Sequence, residues 1–508
     1  MRTSWLTIGM SVFVSATTLV GSAVAEPPTR TLSLAECRVL ALEKNLNFRV
    51  SRLGPARSEA GVSSALADFD PRFSASIGGT RTQQPNSLVY DPTTGKYISR
   101  SVPAQNSIRS SVGIAKDFAF GTNASLSVNN NWAKGSGSST YGSNLSLNVT
   151  QPLLRNFGRE VNESGIRLAR NSLDISMSQL EASAISTVEQ VEGAYWDLVN
   201  AIEGLKVAQL SLQVAQQLLE RSRARAESGA QAVRDVLQAE AGVAAAQQEI
   251  ISAQATIRDA EDNLKRLTDL TADPQGWQLT VVPVDTPHIQ YQLPPTDTLV
   301  VIALRRSPSV YQARKTLEAS ELTLRIRSNG LLPSLYASTG VTLVDGDLTF
   351  GKSMDDIAKA SYPSWSAGLQ LSIPLGNRSA EASYRQAALD VRSAELKLES
   401  SRQQVYADVR AAVRRVETSR LQIAAAAETR RLQEANLENE QERLRLGLST
   451  NYDVLQVEKD LAAARRSFLQ ARTEHEKALL ALDRAAGRLL EARNIRIDEY
   501  RTTDVQGD

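Results

Sequence analysis

Two histidines, one cysteine and a nearly cancelled charge leave this 508-residue chain few of the tools of catalysis. A single thiol, Cys37, excludes a disulfide within the chain, and His288 and His475 cannot make an imidazole cluster. With 57 Lys and Arg against 56 Asp and Glu, there is no basic surplus to hold a nucleic acid. Glu474-His475-Glu476 lacks the second histidine at helical spacing that a zinc motif requires, so His475 is expected as a solvated helix residue. No phosphate-binding loop, dinucleotide fingerprint or nucleophile elbow occurs. The sequence predicts no catalytic residue, no metal and no cofactor, and the chain is not expected to be an enzyme. Cys37 reads as a small buried side chain in the first helix.

Long apolar runs are also missing. Past the first 25 residues no stretch of about 18 apolar residues exists, so any membrane crossing must be made by β-strands. Residues 1–25 have the three parts of a secretory signal peptide: Arg2, an apolar stretch over Leu6–Val20, and Ala23-Val24-Ala25 before Glu26. Aromatics make up only 5% of the chain, and the hydrophobic 42% leans on alanine. Alanine-rich helices approach closely but bury little area each, which suits packed rods.

What is present alternates between two kinds of segment. Residues from about 160 to 228 contain no proline, and Leu168, Leu173, Leu180, Val188, Val191, Leu198, Leu205, Leu212 and Leu219 recur near heptad spacing. A second run from about 379 to 446 repeats this through Leu389, Leu396, Val405, Val409, Val413, Val416 and Leu421. As helices, each is a rod of roughly 100 Å. Shorter helical runs cover about 233–269 and 450–487. The other segments alternate apolar and polar residues, as in Leu145-Ser146-Leu147-Asn148-Val149-Thr150 and Ala367-Gly368-Leu369-Gln370-Leu371-Ser372-Ile373. A period of two with one apolar face is a strand wetted on one side. Phe73, Phe118, Phe120, Trp132, Tyr362 and Trp365 at or near strand ends fit the aromatic girdle of a transmembrane barrel. The edge of a periplasmic sandwich is the alternative for these strands alone.

The chain repeats itself. The stretch from Ser228 to Glu240 returns as Leu446 to Glu458 at a constant offset of 218, with Gly229, Asp235 and Gln238 answered by Gly447, Asp453 and Gln456. Pro152 is matched by Pro374 and Pro71 by Pro333, each where a strand meets a helical run. However, 81 positions separate Pro71 from Pro152 and only 41 separate Pro333 from Pro374. The surplus contains the turn signal Lys116–Asn123, which predicts an extra hairpin in the first copy, with external loops at about 81–107 and 133–140. That makes six strands per chain; one oversized loop on a four-strand plan is the alternative. Neither number closes a transmembrane barrel within one chain, so the pore must be shared between copies.

The duplicated Gly-x5-Asp-Val-Leu-Gln-x-Glu segment, the swivels Gln151-Pro152-Leu153-Leu154 and Ile373-Pro374-Leu375, and the opening Leu32-Ser33-Leu34-Ala35-Glu36 resemble the TolC family of outer-membrane efflux proteins over the mature chain. The resemblance implies a mixed membrane α+β fold: a trimeric transmembrane β-barrel continued by a long periplasmic α-helical barrel, built on a tandem repeat. The expected divisions are a first repeat over 26–270, an equatorial connector over 271–295, a second repeat over 296–490 and a C-terminal tail over 491–508. The implied function is passive conduction in a tripartite efflux or type I secretion system, within outer-membrane lipid. A periplasmic adaptor (membrane fusion protein) and an inner-membrane transporter of RND or ABC type would be the partners. A trimeric envelope spacer and an uptake porin are the alternatives.

Gly229 and Gly447 fall where the long helices end and a left-handed cap is wanted, so each marks a hairpin at the tunnel tip. Thr450 and Asn451 are candidate N-caps. By resemblance, Asp453 and its counterpart Asp235 form the periplasmic gate, with Gln456 where the family carries a second carboxylate. Leu444 and Ser449 stand where the family's best-known member has a tyrosine and an arginine that lock the tip. Arg223, Arg225, Arg443 and Arg445 are candidate gate partners, and Gly229, Gly447, Ser449 and Thr450 candidate docking positions for the adaptor. Both aspartates also read as ordinary helix-start residues, favoured by the macrodipole.

Overall fold

A computed structural model describes residues 29–135, 139–228, 232–272, 274–287, 293–345 and 349–500. The expected signal peptide, Gly229 and His288 lie outside the described residues. The chain opens with β1 (Thr29–Leu32), α1 (Leu34–Lys44) and α2 (Leu46–Leu66). Ser33 starts α1 with a reciprocal cap: its hydroxyl accepts the Glu36 N–H at 3.2 Å, and the Glu36 carboxylate accepts the Ser33 N–H at 2.8 Å. Next come β2 (Arg72–Thr82), β3 (Ser87–Asp91), β4 (Lys96–Arg100), β5 (Gln105–Asp117), β6 (Asn123–Lys134) and β7 (Ser139–Pro152). Helices α3 (Arg159–Asn162), α4 (Ser164–Glu227) and α5 (Val233–Leu267) follow, then β8 (Thr280–Pro283), α6 (Thr296–Arg306) and α7 (Pro308–Asn329). The remaining elements are β9 (Ser334–Asp345), α8 (Phe350–Ala358), β10 (Pro363–Ser372), α9 (Arg378–Arg445), α10 (Asn451–Ala485) and α11 (Leu489–Ala492). Helices α4 and α9 have 64 and 68 residues, rods of roughly 100 Å.

Six antiparallel strands make one sheet in the order β10-β9-β7-β6-β5-β2, as the extra length of the first half predicts. The β5–β6 link is the expected tight turn, closed by Phe118 N–H to Thr122 C=O at 2.9 Å, with Gly121 at φ +88°. A side chain at Gly121 would come within 2.6 Å of the Asn156 carbonyl. The loop at 81–107 is not featureless: it folds into the separate β3–β4 hairpin. In the connector, β8 pairs in parallel with β1.

The register gives the sheet two chemically distinct faces. Phe73, Ile114, Leu126, Leu147, Val341 and Trp365 lie in one row across the six strands, and all six are exposed. One residue along, Ser74, Gly113, Ser127, Ser146, Thr342 and Ser364 form the matching row on the opposite face. The sheet's outer strands, β2 and β10, each leave one side unpaired.

The helices make a wall and not a globule. Towards the sheet the packing runs α2, α4, α7, α9; beyond it runs α5, α4, α10, α9. Buried residues concentrate midway along the rods, where Val191, Tyr195 and Leu198 of α4 meet Leu32, Cys37 and Val281, and Val405, Val409 and Val413 of α9 meet Leu299, Ala478 and Leu482. The heptad expectation fails at Leu389, Leu396 and Leu421, which are exposed. Their helix, α9, stands at the edge of the wall and has a neighbour on one side only. His475 corrects a second expectation: it is 2% exposed, with Nδ1 at 2.9 Å from the Ser419 hydroxyl across the α9–α10 interface. Polar neighbours in sequence disguised a position on the buried stripe, and burial pushes its pKa down.

Charge also ties the middle of the wall together. Glu192, 1% exposed on α4, accepts from Arg38 of α1 at 3.3 Å and from Arg493, beyond α11, at 2.9 and 3.1 Å. Arg493 also reaches Asp483 of α10 at 3.2 Å. Removing Glu192 leaves the half-buried guanidinium of Arg38 unpaired and that of Arg493 with Asp483 alone, so Glu192→Ala is expected to cost about 3 kcal/mol, read as a lower thermal midpoint in detergent.

Candidate functional site

The ends of the long helices are brought together by two hairpins, α4–α5 and α9–α10, and these hold the residues singled out in the sequence. Helix α9 stops in a Schellman turn: Gly447 N–H bonds the Leu444 carbonyl at 3.1 Å and Leu448 N–H bonds that of Arg443 at 2.8 Å. Gly447 sits at φ +76°, which is why the position calls for glycine. Helix α10 then begins on Thr450. The Thr450 hydroxyl accepts the Asp453 N–H at 3.3 Å, while the Asp453 carboxylate takes the Thr450 N–H at 3.2 Å and its hydroxyl at 2.7 Å. These bonds, the hydroxyl's foremost, hold the Asp453 carboxyl below the ordinary aspartate range. Asp453 is thus a working cap residue in each chain, whatever else it does.

Asp235 occupies the corresponding first turn of α5, with its N–H on the Ala232 carbonyl at 3.0 Å and Arg234 at 3.8 Å from its carboxylate. Within the chain the four candidate arginines serve other acceptors. Arg223 pairs with Glu240 at 2.7 Å, Arg225 reaches the Leu444 carbonyl at 3.4 Å, Arg443 pairs with Glu440 at 2.9 Å, and Arg445 with Glu442 at 2.6 Å. Ser449 hydrogen-bonds Glu440, and Gln456 donates to Asp460 at 3.1 Å. The swivel prolines lie at the sheet's inner rim: Pro71 and Pro333 each immediately precede a strand, Pro152 ends β7, and Pro374 follows β10.

Two tip residues were missed. Asn451, read as a cap, is instead the first residue of α10 and is buried; its amide donates to Ser222 of α4 at 2.7 Å and to the Asp235 carbonyl at 3.3 Å, tying one hairpin to the other. Glu458 is the 218-offset counterpart of Glu240, but Gln441 stands where Arg223 would be mirrored. It is 4% exposed, and burial pushes its pKa up against the opposing pull of the Ser211 hydroxyl and the Arg465 charge. The offset was the signal for this one. For Asn451 the sequence signalled a cap at the start of α10 and not its tie to the other hairpin.

The geometry is a rod-and-sheet wall with a hairpin tip, and comparison with known proteins places it. The family model for outer membrane efflux proteins matches residues 38–269 and 299–488. Outer membrane protein TolC of Vibrio cholerae serotype O1 is 24% identical over 326 residues, 62% of this chain and 70% of that protein. The CmeC outer membrane channel of Campylobacter jejuni superposes with a TM-score of 0.67 at 17% identity, covering 92% of this chain and 89% of its own. The outer membrane protein VceC of Vibrio cholerae gives 0.65 at 16% identity, covering 89% and 96%. At these identities the superpositions show a shared fold.

Because the lowered Asp453 pKa reflects its capping bonds, the carboxylate's contribution is present at neutral pH and fades as pH falls through that lowered value. Thr450→Ala is expected to cost the start of α10 about 1 kcal/mol. Amide exchange over residues 451–455 should then quicken at pH 7, with no change in the sheet.

Proposed function

The chain belongs to the outer membrane efflux protein family, and from that footing we propose that three copies close a single duct through the outer membrane and on into the periplasm. As a family member it is an outer-membrane efflux channel with a TolC-like helical-barrel fold and its helical part in the periplasm, and it is not an enzyme. The trimer, the closed barrel and the tandem repeat are the finer part of the reading.

One observation carries it. A sheet with an exposed apolar face and two unpaired edges is unstable in water and unstable alone in lipid. Pairing the β2 edge of one copy with the β10 edge of the next removes both problems, and three six-stranded sheets make 18 strands, within the range of closed outer-membrane barrels. The same join would set α9 of one copy beside α2 and α5 of the next. That would cover Leu389, Leu396 and Leu421 on one side and Val50, Leu53 and Ile251 on the other, all exposed in the single chain. The apolar row then faces lipid and the serine-rich row lines the pore.

In this assembly Asp235 and Asp453 become rings at the periplasmic mouth and favour cations there, less strongly for having Gln456 one turn on. Arg223, Arg225, Arg443 and Arg445 lie close enough to the tip to act across copies. Gly229, Gly447, Ser449 and Thr450 mark the turns on which a periplasmic adaptor would dock, with an RND or ABC transporter of the inner membrane supplying substrate. The duct is passive, so the transporter sets what passes. The divisions 26–270, 271–295, 296–490 and 491–508 are the corresponding structural units, with 1–25 removed on export.

The mature protein is expected to run as a trimer in detergent and to open discrete pores in planar bilayers. A monomer, or a trimer without conductance, sinks the duct and leaves a structural spacer. Asp235→Ala combined with Asp453→Ala is expected to raise conductance and weaken block by multivalent cations; unchanged single-channel records would remove the gate from these residues.

A further inference from the structure

Charged residues on the six strands are few enough to place one by one. Arg81, Lys116, Lys134 and Asp345 share the face of the apolar row and lie at strand ends. On the polar face, Arg72 and Asp117 neutralise each other in an ion pair at 2.5 Å at the inner rim. That leaves Arg109. It sits within β5 opposite Gly78 of β2 and Asn131 of β6, with Gly142 of β7 next in the row. Its neighbours along the strand on that face are Ser107 and Ser111. It is exposed, and no carboxylate contacts it among the described residues. Two glycines in its row leave the space above the sheet open. The strand of the next copy that would join β2, β10, carries no acidic residue.

We propose that Arg109 is a charge-selecting residue of the pore, giving the outer part of the lumen a preference for anionic solutes. The inference rests on the polar face being the lumen. A charge on a strand wall whose other charged pair is already neutralised is met by ions with little competition from counter-charge on the strands. Three copies would repeat it around the bore. Screening confines its reach to about 10 Å at 0.1 M salt and about 3 Å at 1 M, so it biases solutes that travel near the wall. It also opposes in sign the aspartates at the far end of the duct.

The test reads local potential at the wall, which the tip cannot mask. A thiol is introduced by Ser111→Cys, two residues from Arg109 on the same face, about 7 Å away. Rates of modification by anionic and cationic methanethiosulfonates are compared on the trimer in liposomes and referred to a free thiol. The native Cys37 stays silent, being fully buried with its thiol pushed up to about 12. The anionic reagent is expected to be favoured, and adding Arg109→Gln should lower the anion-to-cation rate ratio about threefold at 0.1 M salt, and much less at 1 M. Arg109→Lys should keep the bias. A ratio without bias at 0.1 M in the Ser111→Cys protein, or one that Arg109→Gln leaves unchanged, overturns the proposal even if that variant assembles poorly. Leu369→Cys, on the opposite face, is the separate control. Modification there as fast as at Ser111→Cys would overturn the duct reading itself.

Discussion

A backbone N–H or C=O in hydrocarbon has no water to bond, and in the proposed duct this one constraint governs the architecture. Four of the six strands have a partner on both sides, whereas β2 and β10 leave a row of such groups unanswered. Edge strands in soluble proteins are short, charged or covered. Here β2 spans 11 residues and β10 spans 10, both exposed throughout, and β10 carries no charge at all. In the proposed trimer the two edges answer each other, and what looks like a liability in the isolated chain becomes the seam of the barrel.

The helical wall obeys a gentler version of the same rule. Water satisfies the helix backbone at every exposed point, so the rods need neighbours only for their apolar stripes. Alanines and valines along α4, α9 and α10 allow close approach, while larger side chains gather midway around Tyr195 and Leu482. There the buried Glu192 connects three segments distant in sequence. Towards the tip the packing thins to Leu218, Leu437, Val454 and Leu461, and a polar tie through Asn451 replaces bulk. A region held by few apolar contacts and a handful of hydrogen bonds opens at lower cost than the rods' middle. In the proposed duct this is the end that opens most readily.

Much of this was legible in order. Prolines 71, 152, 333 and 374 punctuate the chain at strand–helix junctions because proline cannot continue a ladder or a helix. The unbroken runs near 160–228 and 379–446 fold as the long helices α4 and α9 because nothing in them interrupts the hydrogen-bond ladder. The surplus length between Pro71 and Pro152 is a β-hairpin because Gly121 permits the turn. These are local rules, and each needs only the residue and its immediate neighbours.

The remainder depended on which surface meets which. His475 looks like a solvated polar residue until α9 is laid against it, Asn451 like a cap until α4 is, and Leu389 like core until its helix proves to be an edge. Asp453 reads equally well as a gate and as a cap; only the hydroxyl of Thr450 at 2.7 Å establishes the second role. Amino-acid order alone determined where the long rods run, where prolines divide strand from helix and how apolar and polar residues alternate along the main strands, since periodicity and turn chemistry act over a few residues. Burial and pairing arise between segments up to hundreds of residues apart, so tertiary structure alone decided them.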